Sequence, residues 1–162
     1  MSNINVNLLT DGDGLLINPA SWPHIPCERT ITFAGATENA WGDDGGTLDG
    51  GSMFTVTGIV RVRLIANCTV DLVGAVSLEA GVVGGTAILI AQIADAEGID
   101  VGEFWFGAGA PTTSIVPTSA PEKVIASDII LTYGGNITAG AIKFSCSWTP
   151  VTANGLVVPT AN

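Results

Sequence analysis

Charge is scarce in this chain, and positive charge is scarcest. Of 162 residues only five are Lys or Arg, against fifteen Asp or Glu, for a formal net charge of −10. Nucleic-acid binding draws on Lys and Arg contacts to phosphate, so the sequence predicts no nucleic-acid partner. The same repulsion disfavours anionic membrane surfaces. No apolar run approaches the roughly 18 residues of a membrane span; the longest, Ile59 to Ala66, is broken by Arg61 and Arg63. Met1 to Leu9 lacks the basic start and long apolar stretch of a secretory signal. The expectation is therefore a protein without membrane contact.

Chemistry-bearing residues are also few. The single histidine, His24, sits between Pro23 and Ile25-Pro26, a setting for a packing or surface residue rather than a general base. Cys27 follows three residues later, too far along an extended segment to face it. No G-x-S-x-G, Walker loop or H-E-x-x-H is present. Gly107-Ala108-Gly109-Ala110-Pro111 reads as a flexible turn, because neither a strand-to-helix context nor a following Lys makes it a phosphate cradle. Cys27, Cys68 and Cys146 are an odd set without CxxC spacing, which indicates neither a disulfide framework nor a zinc site. Cys68 and Cys146 lie inside strand patterns and read as buried free thiols. The sequence thus predicts no catalytic residues, no cofactor and no metal site: not an enzyme.

What is abundant is apolar and small. Hydrophobic residues make up 47% of the chain and glycine occurs 21 times, so a core can form among short strands and tight turns. From Arg29 onward strand patterns alternate with turns. Thr30 to Phe33 is a short strand, and a Gly- and Asp-rich loop runs from Thr37 to Ser52. Met53 to Cys68 is the longest pattern, with Gly58 marking a bend or a bulge, a passage between sheets being one way to use it. Within it Val60, Val62 and Leu64 alternate with Arg61, Arg63 and Ile65, the period of a strand with one buried face.

Further strands are expected at Ala75 to Val82, Thr86 to Ile93, Gly102 to Phe106, Lys123 to Ala126, Ile129 to Tyr133 and Ala139 to Trp148. In the last, Ile142, Phe144, Cys146 and Trp148 share a face opposite Lys143, Ser145 and Ser147. No window carries helical periodicity beyond one short turn near Ala91 to Ala96. Seven to eight short strands predict an all-β fold, an antiparallel β-sandwich or jelly-roll-like domain. The domain covers residues 29–150. Residues 1–28 read as an irregular arm punctuated by Pro19, Pro23 and Pro26 and anchored by Trp22 and Ile25. Residues 151–162 read as a tail, either frayed or a strand completed in an assembly.

Three groups of side chains are candidates for binding. Arg61 and Arg63 share a strand face, either as a polar outer surface or as inter-subunit residues meeting carboxylates of another copy. The carboxylate clusters Asp11/Asp13, Asp43/Asp44/Asp49 and Asp95/Glu97/Asp100/Glu103 lie in loops; none has EF-hand spacing, and solvated turns are the reading. Trp41, Trp105 and Phe104/Phe106 offer a sugar-stacking platform as an alternative, a carbohydrate-binding, lectin-like β-sandwich of a tail or head fibre.

The stretch Asp49-Gly50-Gly51-Ser52-Met53-Phe54-Thr55-Val56-Thr57-Gly58, followed by Val60-Arg61-Val62-Arg63-Leu64, Cys68-Thr69-Val70-Asp71-Leu72 and Ser77-Leu78-Glu79-Ala80-Gly81-Val82, resembles a family of small tailed-bacteriophage virion proteins of the capsid decoration, or cement, type. The likeness continues through Thr86-Ala87-Ile88-Leu89-Ile90-Ala91-Gln92, Asp128-Ile129-Ile130 and Ile142 to Pro150; residues 1–28 match less well. The resemblance implies a structural protein on the exterior of the virion capsid, made in the bacterial host cytoplasm. It further implies the major capsid protein as partner and a homotrimer as the working form. On that reading the arm residues Trp22, Pro23, His24, Ile25 and Pro26 dock on capsid or on a neighbouring subunit.

Overall fold

In the computed structural model the described residues are 25–116 and 119–161, together with the backbone of two short strands, Leu9–Thr10 (β1) and Leu16–Ile17 (β2), which pair antiparallel. The remaining strands are Ile25–Thr32 (β3), Gly51–Thr57 (β4), Val60–Val73 (β5), Leu78–Val82 (β6), Gly85–Ile93 (β7), Phe104–Phe106 (β8), Lys123–Ile125 (β9), Ile129–Tyr133 (β10), Ala139–Pro150 (β11) and Leu156–Pro159 (β12). They form two antiparallel five-stranded sheets. One has the order β12-β4-β10-β6-β7; the other has β3-β11-β5-β8, with β9 also pairing β5. The fold is all-β, a sandwich, as the alternation predicted.

The spine of the second sheet is the β5–β11 ladder, which runs from Ala139 opposite Val73 to Pro150 opposite Val60. Its two strands carry the cleanest period-two patterns in the sequence, and the pattern is obeyed. Val60, Val62, Leu64, Ala66 and Cys68 are buried from β5, as are Ile142, Phe144, Cys146 and Trp148 from β11. Trp105 packs edge-on against Phe144, with ring centroids 6.4 Å apart and planes at 69°, a geometry that sets the positive ring edge against the negative face.

Gly58 separates β4 in one sheet from β5 in the other. Its φ of +66° lies in the left-handed region, and a Cβ there would come within 2.6 Å of both the Asn154 and Thr152 side-chain oxygens. The crossing between sheets is therefore where glycine allows it.

Both ends of the domain differ from the sequence reading. The first strand of the sandwich begins at Ile25, so residues 25–28 belong to it and not to an irregular arm. Pro26 is tolerated because β3 lies at the sheet edge, where a missing N–H breaks no ladder on the outer side. The tail is neither frayed nor left for another copy. Leu156 to Pro159 pairs with Thr57 to Phe54 of its own chain, and Val157 is buried. The short helical turn expected within Ala91 to Ala96 lies further on: Ala91 to Ile93 belong to β7, and a single 3₁₀ turn spans Ala96–Gly98, capped by Asp95, whose side chain accepts the Glu97 N–H.

The flanks of the sandwich are closed differently. On one, the Ala91 N–H donates to the Gly107 carbonyl at 2.6 Å, linking β7 to the residue after β8. On the other, the Arg29 guanidinium reaches from β3 to the Ser52 and Met53 carbonyls of β4, at 3.0 and 2.8 Å, while stacking 5.4 Å over the Trp41 ring. On this flank a side chain makes the link between the sheets that a backbone hydrogen bond makes on the other.

Candidate functional site

The candidate residues named from sequence do not converge on one site. Trp22, Pro23 and His24 lie outside the described residues, as do Asp11 and Asp13. Ile25 and Pro26 lie in β3, opposite Trp148 and Ser147 of β11. Arg61 and Arg63 do share the outer face of β5, and both find a carboxylate within their own chain. Arg61 Nε lies 3.2 Å from Glu122 Oε2, and Arg63 Nη2 lies 3.4 Å from Glu122 Oε1. Glu122 is delivered by the segment that enters β9, which pairs with β5 through Arg61 opposite Val124. An intramolecular partner thus accounts for the pair without a second copy.

The acidic loops are occupied in the same way. Asp43 Oδ2 accepts the Asn39 N–H at 2.7 Å, supporting the positive φ of Asn39. Asp49 accepts the N–H groups of Tyr133 and Gly45 at 3.3 and 3.4 Å. Glu97 Oε1 accepts from Gly74 at 2.7 Å, Asp71 from Val101 at 2.8 Å, and Glu103 from Asp100 at 3.1 Å. Each of these carboxylates accepts a backbone N–H, most of them in loops where no strand ladder supplies an acceptor. Among the described residues no group of three His, Cys, Asp or Glu side chains is placed to hold a metal ion. No helix among them is long and apolar enough to cross a membrane.

Of the aromatic residues offered as a sugar platform, Trp41, Trp105 and Phe106 are buried and Phe104 is partly buried. Trp41 is 6% exposed and Trp105 1%, so neither presents a ring face to a ligand. Trp41 sits where the loop after β3 folds back on the β10–β11 connection, through the Ala34 N–H to the Trp41 carbonyl and the Ile137 N–H to the Gly42 carbonyl. Gly42, at φ +93°, permits that approach: a Cβ there would collide with the Ile137 carbonyl. A groove of about 270 Å³ lies between β7 and the 107–111 turn, walled by Gln92, Ile93, Trp105, Ala108 and Pro111. Its one side-chain amide, Gln92, already donates to Glu79 at 3.1 Å.

The cysteines are arranged as spacing could not foretell. All three are free. Cys68 is buried on β5, donates to the Val70 carbonyl at 3.3 Å, and is pushed up in pKa by that burial and by Asp71. Cys27 and Cys146 stand directly opposite each other on β3 and β11. A hydrogen bond between their side chains lowers the Cys27 thiol and raises that of Cys146. The signal that could have found Cys27 was the alternation Ile25, Cys27, Arg29, Ile31, which marks an inward face hidden in a segment with a proline.

In comparison with known proteins, the chain matches no family model, no curated protein and no solved structure.

Proposed function

We propose that this chain is a structural virion protein, a decoration or cement protein that binds the outer surface of a tailed-phage capsid and stabilises it. The observation that carries the reading is the resemblance of residues 48–83, 86–92, 128–130 and 142–150 to that family. Those segments correspond to β4 to β7, β10 and β11, which include the inner strands β4, β10 and β6 of one sheet and β11 and β5 of the other. The use of side-chain chemistry agrees with it: carboxylates such as Glu97 and Asp71 clip loops and the strand-face arginines pair with Glu122, so polar groups hold shape. A net charge of −10 suits an exposed particle surface and not a DNA-facing one.

On this reading the working form is a homotrimer, the partner is the major capsid protein, and the chain leading into β3, with Trp22, Pro23 and His24, docks on capsid or on a neighbouring subunit. The test pairs light-scattering mass in solution with co-sedimentation against undecorated heads. A trimer that saturates the heads and raises their resistance to heating is the expected result. A monomer that stays in the supernatant at every ratio overturns the reading.

A further inference from the structure

Cys27 and Cys146 are the only described cysteines placed opposite each other. Directly opposed residues of an antiparallel pair have Cα atoms about 4.5–5.5 Å apart, inside the roughly 4.4–6.8 Å that a disulfide spans. Both side chains face the space between the sheets: Cys146 is fully buried there, and Cys27, at the edge of the sandwich, is half-buried. Cys68 is excluded from either pairing. It lies opposite Ile142, four residues along β11 from Cys146, which is about 13 Å at strand rise.

We propose that Cys27 and Cys146 form a dithiol that closes to a cross-strand disulfide when the protein meets a small-molecule disulfide, pinning the edge strand β3 to β11. Cys27 reacts first, since it is the one reagent can reach, and its thiolate is favoured by the hydrogen bond from Cys146. Its sulfur attacks the reagent disulfide, forming a mixed disulfide and expelling one small thiolate. Cys146 then loses its proton and attacks the Cys27 sulfur, expelling the second small thiolate. Two protein thiols and one reagent disulfide thus give one protein disulfide and two small thiols.

The position gives the bond a consequence. Among the described strands β3 is held in its sheet by β11 alone, and it carries Arg29, the clamp to β4. A covalent tie two residues from that clamp keeps the flank from peeling. It also closes a loop that holds every strand from β4 to β10, which removes freedom from the unfolded chain. The inference stands on the strand register and does not depend on the capsid reading.

The test uses the full chain, reduced and then incubated with oxidised glutathione near pH 8. The expected product has lost two hydrogens, leaves only Cys68 open to alkylation after denaturation, and yields a cross-linked peptide pair containing Cys27 and Cys146. Its melting temperature is higher than that of the reduced protein by roughly 5–10 °C, and a reductant reverses the gain. Cys68→Ser behaves as the wild type; Cys27→Ser, altered at a half-buried site, folds and shows no gain. Three alkylatable cysteines, a lasting glutathione adduct on Cys27, or a cross-link to Cys68 overturns the proposal. A disulfide that leaves melting unchanged overturns its stabilising role.

Discussion

Asp128 Oδ1 accepts the backbone N–H of Val56 at 2.8 Å, while its Oδ2 accepts the Ser52 hydroxyl at 3.0 Å. The β4–β10 ladder slips by one residue between Ile129 and Ile130, and Asp128 stands just before β10. Its carboxylate therefore acts as a further rung, supplying the acceptor that the backbone no longer offers to Val56. Asp128→Ala leaves a strand N–H unpaired, and the expected loss is about 1–3 kcal/mol of folding stability. Asp128→Asn, which keeps one acceptor, loses less. Urea unfolding of the three proteins checks the order, and an alanine variant as stable as the wild type removes Asp128 from this role.

Tyr133 is the one tyrosine in the chain, so its ionisation can be followed directly by tyrosinate absorbance. Burial, partly offset by the Gly42 backbone, and the nearby Asp49, Asp43 and Asp44 push it up to about 12 from an ordinary 10. The folded state therefore holds the phenolic proton more tightly than the unfolded state. This contribution to stability is complete below pH 10 and is lost as pH rises through 12. Native protein should titrate near 12 and denatured protein near 10. Tyr133→Phe should flatten the fall of stability between those values, and an unshifted native titration would contradict the burial argument.

Glu122 serves both Arg61 and Arg63 from within the chain. The three side chains are partly exposed, so Glu122→Gln is expected to cost under about 1 kcal/mol, and less still at high salt. Because the partner is internal, Arg61→Ala should leave the light-scattering mass of the protein unchanged. A drop in mass would return these arginines to an interface between copies.

Much of the sandwich was legible because its signals are local. Val60 to Leu64 and Ile142 to Trp148 alternate apolar with polar residues, and a strand with one buried face needs nothing else to declare itself. Gly58 announced an interruption, a bend or a bulge, but that β4 and β5 fall in different sheets was decided by the packing. The strands missed or cut short were those whose local chemistry argued the other way. Pro26 hid the start of β3, since an edge position neutralises what would break a central strand. The weakly apolar residues of β12 carry only one buried side chain, Val157, and owe their strand to a vacant edge of β4.

The binding candidates were less legible, because each turned on a partner far away in the chain. Trp41 and Trp105 were ambiguous between platform and core, because only the packing of the folded domain buries them. The arginine pair was read correctly as sharing a face, yet its carboxylate lies about sixty residues on, in a segment with no pattern of its own.

By itself, the sequence determined that this protein is all-β, acidic and poor in chemical groups, because composition and a period of two are properties of neighbouring residues. Only the tertiary structure decided that Cys27 faces Cys146, that Glu122 joins Arg61 to Arg63, and that Asp128 completes the β4 ladder. Backbone hydrogen bonds between strands are nearly the same for every residue type, so register is chosen by how the whole core packs and not by any local signal.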